Sequence, residues 1–504
     1  MVDSYHSGIG GGGISLVKYA GQEPAVFDYR EVAPAAAHKN MFDGMSPIAS
    51  RWGGLAAAVP GEIRGYQELH KEYGRVPWSL LFEPAATIAR RGFRMPLQVY
   101  LANAYIGPVL CTLARLNETY CHGAKLKQAG DLIVLPELAA SLENIGKYGP
   151  DAFYSGEIAQ GIVDALKADG GIMTLDDLAS YSVVRRDALF VDLGSKRVWS
   201  IPAPGSGAAV LSVLQTMSHY PAAPYKRSDA LTTHRLIEAT KFAYGARTEF
   251  GDPSFITNTS ALERDAISVE AAEARFKRIN DSHVHKTSAY IPRNSSLVRD
   301  AGTSHISATD NSGLSISMTT TVNLFYGNLV VTDGGIILNN EMDDFSRPDT
   351  PNAFNYEPAA ANYIEAGKRP MSSMSPVIVE DIPSGEATLV IGASGGSRII
   401  SSTIINTYSY LCSGQEESLA EIIAAPRWHD QLLPEITYLE TTTPWLPEFK
   451  GYDRASFSAL QQCGHNSTWI EPGWSNAQGI ERRPDGRFFA ATEPRQVNSR
   501  GAAI

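Results

Sequence analysis

An α+β fold is predicted for this chain by two features of its sequence. Segments of helical periodicity joined by short loops fill much of the first half, and from Thr303 onward the pattern turns to alternating strands that fold back on themselves. Such an antiparallel hairpin does not suit a doubly wound parallel sheet. The length, 504 residues, allows two to four domains of about 150 residues each, or one large intertwined domain. Hydrophobic residues at 43% and charged residues at 19% are enough to build a sizeable core. The excess of 54 acidic over 43 basic residues, a net charge of −11, excludes a general nucleic-acid binder and a protein that docks on anionic membranes.

The elements read in order as follows. Residues 7–13 (SGIGGGG) contain a G-x-G-x-x-G match, but what precedes it does not read as an apolar strand, so no dinucleotide site is expected. Residues 174–181 (TLDDLASY) open with a Thr-x-x-Asp helix cap. Residues 232–247 (TTHRLIEATKFAYGAR) carry apolar side chains at helical spacing, with a Gly-Asp-Pro stop soon after. Residues 254–302 lose this periodicity and read as an exposed connection, the kind of segment at which a chain is cut. Over residues 303–309, Thr303, His305, Ser307 and Thr309 share one face, and Ile306 and Ala308 the other. Asp310-Asn311-Ser312-Gly313 is a turn. Over residues 314–323, Leu314, Ile316 and Met318 oppose Ser315, Ser317, Thr319, Thr321 and Asn323. Closing the hairpin pairs Thr309 near Leu314 and gathers Thr303, Thr321 and Asn323 to within a residue of register. Taken alone, that polar face is expected to be solvated.

Three later stretches carry chemistry. Asn339-Asn340-Glu341-Met342-Asp343-Asp344 follows an apolar strand at 336–338, and carboxylates there suit an ammonium group or a plain acidic turn. Met371-Ser372-Ser373-Met374-Ser375-Pro376 presents paired hydroxyls, or a polar turn, ahead of a strand at 377–380. Between a strand at 387–391 and a helix at 397–411 lies Gly392-Ala393-Ser394-Gly395-Gly396, whose N–H groups suit an oxyanion, or whose glycines serve only the turn. The same stretch fits G-x-S-x-G, with Asp430 and His465 following in triad order, so a serine hydrolase using Ser394 competes. Four cysteines make no disulfide scaffold and no Cys/His cluster, so no structural zinc is expected; Cys111 and Cys121 are close enough to close a small loop, bonded or not. No apolar run reaches the roughly 18 residues of a membrane span, and the N-terminus does not read as a signal peptide. Asn-x-Ser/Thr sequons at Asn117, Asn258, Asn280, Asn294 and Asn466 point weakly to a glycoprotein of the secretory pathway, or arise by chance.

The segments Thr303-Ser304-His305, Thr321-Val322-Asn323-Leu324, 339–346 (NNEMDDFS), 369–376 (RPMSSMSP), 392–398 (GASGGSR) and 425–434 (APRWHDQLLP) resemble the small subunit of the gamma-glutamyltranspeptidase (glutathione hydrolase) family in a eukaryotic, fungal-like form. Segments 7–13, 29–34 (YREVAP), 170–181 and 234–253 extend the resemblance over nearly the whole chain. It implies an N-terminal-nucleophile hydrolase, a four-layer αββα sandwich. Such a precursor cleaves itself at Gly302–Thr303, and residues 1–302 and 303–504 stay together as a heterodimer forming one intertwined domain. Thr303 would then be the nucleophile. Its own α-amine, a group that ordinarily titrates at about 7.7–8.0, would be the base. The resemblance gives Thr321 a hydrogen bond to Thr303, and Gly395 and Gly396 the oxyanion N–H groups. Arg30, Ser372 and Ser373 would hold the α-carboxylate of a γ-glutamyl donor such as glutathione, and Asn323, Glu341 and Asp344 its α-ammonium. Water, an amino acid or a dipeptide would accept the γ-glutamyl group. No cofactor, metal or nucleic acid is implied.

Three departures accompany the resemblance. Ser304 stands where many members have threonine or alanine, and Glu493-Pro494-Arg495 stands for the family's Asp-Pro-Arg. Both are expected to be mild. Family members also carry a signal or anchor segment and a first core strand and helix ahead of the Ser-Gly-Ile-Gly-Gly segment. A chain without them would expose apolar surface and a sheet edge. A truncated relative that does not process itself is therefore the alternative to an active transferase, beside an acylase that hydrolyses without transfer. The full-length form would belong to the secretory pathway, whether extracellular, membrane-anchored or vacuolar.

Overall fold

The computed structural model describes residues 2–221, 223–291, 295–296, 302–348, 357–413, 417–496 and 499–502. Two antiparallel sheets form its centre. The first runs in the order Ser304–Thr309, Leu314–Thr321, Gly12–Tyr19, Ala25–Tyr29, Val184–Asp187. The second runs Phe488–Ala491, Asn476–Arg482, Glu386–Ser394, Val377–Asp381, Lys196–Ser200, Leu189–Leu193. Both sheets therefore take strands from either side of Gly302.

The sheets pack face to face, the strands Ser304–Thr309 and Leu314–Thr321 lying over Glu386–Ser394. Ile14, Leu16, Val26, Trp199, Ile378 and Val390 fill part of the space between them. Helix Glu62–Tyr73 covers the outer face of the first sheet, and helices Gly207–Met217 and Arg398–Cys412 cover that of the second. The result is the predicted αββα layering. The helix Ala230–Arg247 is capped by Asp229, whose carboxylate accepts the N–H of Thr232 at 3.1 Å. Thr174 and Asp177 form the expected capping box of Leu175–Ser180.

The hairpin closes within the predicted residue of register, Thr309 facing Ser315 and Ser304 facing Thr320. Several other expectations need correcting. The hairpin's polar face is not solvated. Ser317 and Thr319 pair across the strand with Leu16 and Ile14 and share their inward face, and His305, Ser317 and Thr319 are buried. Ile306, on the other face of the edge strand, is 53% exposed. The polar groups are tolerated inside because they satisfy one another. His305 Nδ1 lies 2.9 Å from Thr319 Oγ and its Nε2 3.0 Å from Ser307 Oγ, while Ser317 Oγ donates to the Ile391 carbonyl at 3.0 Å. Residues 254–302 are not a bare connection: helices Thr259–Ala266 and Val269–Arg278 occupy much of the stretch. The apolar residues 336–338 form only an isolated bridge, Val331 to Ile337. The glycine run enters the strand Gly12–Tyr19 and pairs Gly12 with Thr321, with no helix behind it. Cys111 and Cys121 are joined in a disulfide, and Cys412 and Cys463 are free thiols.

Candidate active site

Thr303 heads the edge strand of the first sheet and is 5% exposed. The carbonyl before it, that of Gly302, accepts the Thr303 hydroxyl and also that of Thr321 at 3.1 Å. Thr321 Oγ in turn accepts the N–H of Asn323 at 2.7 Å. Hairpin pairing puts these two threonines side by side, as the spacing predicts. Gly302 has a φ of 88°, and a Cβ there would stand 1.9 Å from the Asn323 carbonyl oxygen, so the position before Thr303 accepts only glycine.

From Asn323 a chain of contacts leads inward. Its backbone is left-handed, with a φ of 67°, and its Nδ2 donates to the Asn340 carbonyl at 3.1 Å. Asn339 accepts the N–H of Glu341 at 3.0 Å, which orders the single turn Glu341–Asp344. Two of the three carboxylates of that turn pair with Arg30, Glu341 through Nη1 and Asp344 through Nη2, while Asp343 pairs with Arg51 at 3.2 Å. Arg30 also donates to the carbonyls of Pro370 and Met371, each at 3.3 Å, and so reaches the Ser372–Ser373 turn. Arg51 aside, all these side chains are buried. Glu341 Oε2 is buried with no hydrogen-bond partner among the described residues. Beside Arg30, burial pushes the Glu31 carboxyl up to about 7, against the pull of the Arg30 guanidinium.

The glycine turn lies at the same end of the sandwich. A Cβ on Gly392 would stand 2.2 Å from a ring carbon of His305, so His305 lies directly on this glycine. From there Thr303 is two residues back along one strand and Gly395 three residues forward along the other. Gly395 and Gly396 have φ values of 120° and 62° and precede the helix Arg398–Cys412. Their backbone suits N–H groups aimed at an anion beside a helix N-terminus. The Tyr244 hydroxyl donates to the Ser397 carbonyl at 2.6 Å and fixes that helix entrance.

The structure thus brings Arg30, Thr303, Thr321, Asn323, Glu341, Asp344, Ser372, Ser373, Gly395 and Gly396 to one end of the sheets. It does not assemble a serine triad. His465 bonds His234 at 2.7 Å, Lys241 at 3.4 Å and Thr437 at 3.5 Å, and Asp430 accepts from Thr437 at 2.6 Å. Neither is bonded to Ser394, and Gly392 is needed for His305 rather than for a nucleophile elbow. Sequence reasoning missed Tyr244, Arg247, Ser206 and Glu31. Tyr244 and Arg247 lie in the helix read correctly from periodicity, but their role depends on contacts 41 to 153 residues away in the chain. Among the described residues no His/Cys/Asp/Glu cluster could hold a metal ion, and no helix is long and apolar enough to cross a membrane.

This fold, with a threonine heading an edge strand and glycine N–H groups at the same end, defines the N-terminal-nucleophile hydrolase class. The chain is similar over 98% of its length to the crystal structure of cephalosporin acylase from Bacillus halodurans, with a TM-score of 0.81, 22% identity and 87% of that chain covered. The sequence profile described as Gamma-glutamyltranspeptidase matches residues 1–503. The chain belongs to the gamma-glutamyltranspeptidase family. It is 39% identical to the glutathione hydrolase proenzyme of Arthroderma benhamiae, across 99% of this chain and 84% of that one. It is 31% identical to the crystal structure of Helicobacter pylori gamma-glutamyltranspeptidase, with a TM-score of 0.52, over 56% of this chain and 82% of that one.

Proposed function

We propose that this protein is a γ-glutamyl transferase and glutathione hydrolase that matures by cutting itself before Thr303. The observation that carries the proposal is the Gly302 carbonyl, held by the hydroxyls of both Thr303 and Thr321. Thr303 Oγ attacks that carbonyl carbon, the C–N bond breaks, and the hydroxyl proton passes to the leaving nitrogen, which becomes a free α-amine. Water then hydrolyses the Gly302 ester and restores the Thr303 hydroxyl. Pieces 1–302 and 303–504 remain one intertwined heterodimer, a reading supported by strands from both pieces in each sheet.

In the mature enzyme the Thr303 α-amine takes the Oγ proton as Oγ attacks the donor γ-carbonyl. Gly395 and Gly396 stabilise the oxyanion, and the departing amine, cysteinylglycine for glutathione, takes the proton. Water, an amino acid or a dipeptide then resolves the γ-glutamyl ester. Arg30, Ser372 and Ser373 hold the α-carboxylate, and Asn323, Glu341 and Asp344 the α-ammonium. The unsatisfied Glu341 Oε2 supports the ammonium assignment. The Cys111–Cys121 disulfide and the sequons support a secretory-pathway location. Of these sequons, Asn258 is exposed, whereas the Asn117 amide is engaged by the carbonyls of Cys111 and Gly123, and Asn294 lies outside the described residues.

The test is release of the anilide from a γ-glutamyl anilide, with and without a dipeptide acceptor. Release that the acceptor stimulates, with formation of a γ-glutamyl tripeptide, establishes transfer. Release that the acceptor leaves unchanged establishes hydrolysis alone. No release, from protein cut before Thr303, contradicts the proposal.

A further inference from the structure

Arg247 ends the helix Ala230–Arg247 and is 4% exposed. Its Nε donates to Ser206 Oγ at 2.6 Å and its Nη2 to Ser373 Oγ at 3.5 Å. Both partners are neutral hydroxyls, and among the described residues no carboxylate pairs with it. The other buried guanidiniums nearby are neutralised: Arg30 by Glu341 and Asp344, Arg369 by Asp28 at 3.4 Å, and Arg186 by Asp28 and Asp252 at 2.7 and 3.1 Å. A buried cation without a counter-charge is costly unless something else brings the anion.

Its neighbours say where that anion would sit. Ser206 Oγ donates to the Ser372 carbonyl at 2.5 Å, and the Ser206 N–H to the Met374 carbonyl at 2.8 Å. Arg247 and Ser206 therefore clamp the Ser372–Ser373 turn from behind. An α-amino-acid head group is a zwitterion and adds no net charge, while three buried carboxylates, those of Glu31, Glu341 and Asp344, pair with the single guanidinium of Arg30.

We infer that Arg247 adds positive charge behind this pocket and is a positioning residue for the donor α-carboxylate, acting through Ser373 and the turn it holds. The inference rests on the reading of this pocket as the γ-glutamyl head-group site. By donating to Ser373 Oγ, the guanidinium turns that hydroxyl's own proton outward and strengthens it as a donor to the carboxylate.

Three anilide donors separate this role from a structural one: γ-glutamyl anilide, glutaryl anilide, which keeps the carboxylate but lacks the ammonium, and 4-aminobutyryl anilide, which keeps the ammonium but lacks the carboxylate. Arg247→Met is expected to lower kcat/KM about tenfold or more, mainly through KM, for the two carboxylate-bearing donors. It should leave 4-aminobutyryl anilide within about twofold. Arg247→Lys should recover part of the loss, and Ser206→Ala should move the same ratio less far. Equal losses on all three donors would overturn the inference. If the methionine variant does not mature, the lysine and Ser206→Ala variants decide by the same ratio. A wild-type enzyme with no preference for γ-glutamyl over 4-aminobutyryl anilide would instead remove the head-group reading itself, and this inference with it.

Discussion

At the scale of single residues, the proposed self-cleavage turns on what surrounds the Gly302–Thr303 bond. A methyl group on Gly302 has no room beside the Asn323 carbonyl. Gly302→Ala should therefore leave the precursor largely uncut on a denaturing gel, although the substitution touches no catalytic atom. Thr303→Ala should abolish both cutting and turnover, while Thr303→Ser, which keeps a hydroxyl, should retain some of each. In the proposed head-group pocket, Glu341→Gln removes a negative charge that pairs with Arg30 and, on that reading, faces the donor ammonium. A lost charged hydrogen bond of about 1.5–3 kcal/mol predicts a kcat/KM for γ-glutamyl anilide reduced by about 10- to 150-fold, read from steady-state kinetics.

At the scale of elements, strand alternation gave the hairpin and its register to within one residue but assigned the wrong face to solvent. A period of two says which side chains share a face; it does not say what covers that face. Serine and threonine can line an interior when their hydroxyls bond one another and nearby carbonyls, as Ser317 does with Ile391. The contact of His305 with Gly392 makes this packing testable. Gly392→Ala should destabilise the protein by about 1–3 kcal/mol in chemical denaturation, since the ring has to move between two sheets. Ser394→Ala, at the end of the same strand, should leave turnover unchanged, and a large loss there would revive the serine-hydrolase alternative. The late Glu493-Pro494-Arg495 segment has an equally physical reason. Against burial, which alone would raise it, the guanidiniums of Arg427 and Arg495 hold the Glu493 carboxyl below its ordinary range. Glu493 pairs with each of them at 2.6 Å, and Arg495 also pairs with Glu440 at 2.7 Å. Removing one partner of such a buried set costs about 3–5 kcal/mol, so Glu493→Ala should lower the unfolding midpoint sharply.

At the scale of the whole molecule, buried titratable groups set the pH range of stability. Burial lowers His6 and His305 to about 3 and His465 to about 2. These groups are neutral when folded and take up protons on unfolding, so their contribution is complete above about 6.5 and is lost as pH falls toward 3. Burial raises Glu263 and Glu31 to about 7 and Glu62 to about 8. Their contribution is complete below about 4.5 and is lost as pH rises through 7 to 8. The opposing slopes place the stability maximum between about pH 4.5 and 6.5. Glu263 accepts the Ala203 N–H at 2.7 Å, a bond that glutamine can also accept. Glu263→Gln should therefore flatten the fall in Tm between pH 4.5 and 7 without moving the acid limb.

The α+β class was legible in the sequence from its periodicity, while the αββα layering and the candidate site residues were legible only through the family resemblance, whose motifs cluster around short, patterned elements: the hairpin at Thr303, the acidic turn at Glu341 and the glycine turn at Gly395. The parts that were not legible are long-range. Nothing local marks Arg247 as the support of Ser373, or His305 as the reason for Gly392, because each depends on how two sheets and a helix from distant parts of the chain come together. The helices within residues 254–302 were missed for a different reason. Val269–Arg278 buries only Ala272 and is mostly charged and polar, so few apolar side chains mark it as a packed element.

All three scales meet in the proposal that Thr303 becomes the N-terminus of a self-made fragment. The most direct measurement is N-terminal sequencing of the purified protein after a denaturing gel, beside the Thr303→Ala variant. A second fragment beginning Thr-Ser-His-Ile is expected in the wild type, and a single chain in the variant. A wild-type chain that stays uncut yet turns over γ-glutamyl anilide, or a cut elsewhere that Thr303→Ala does not prevent, would contradict self-processing at Thr303.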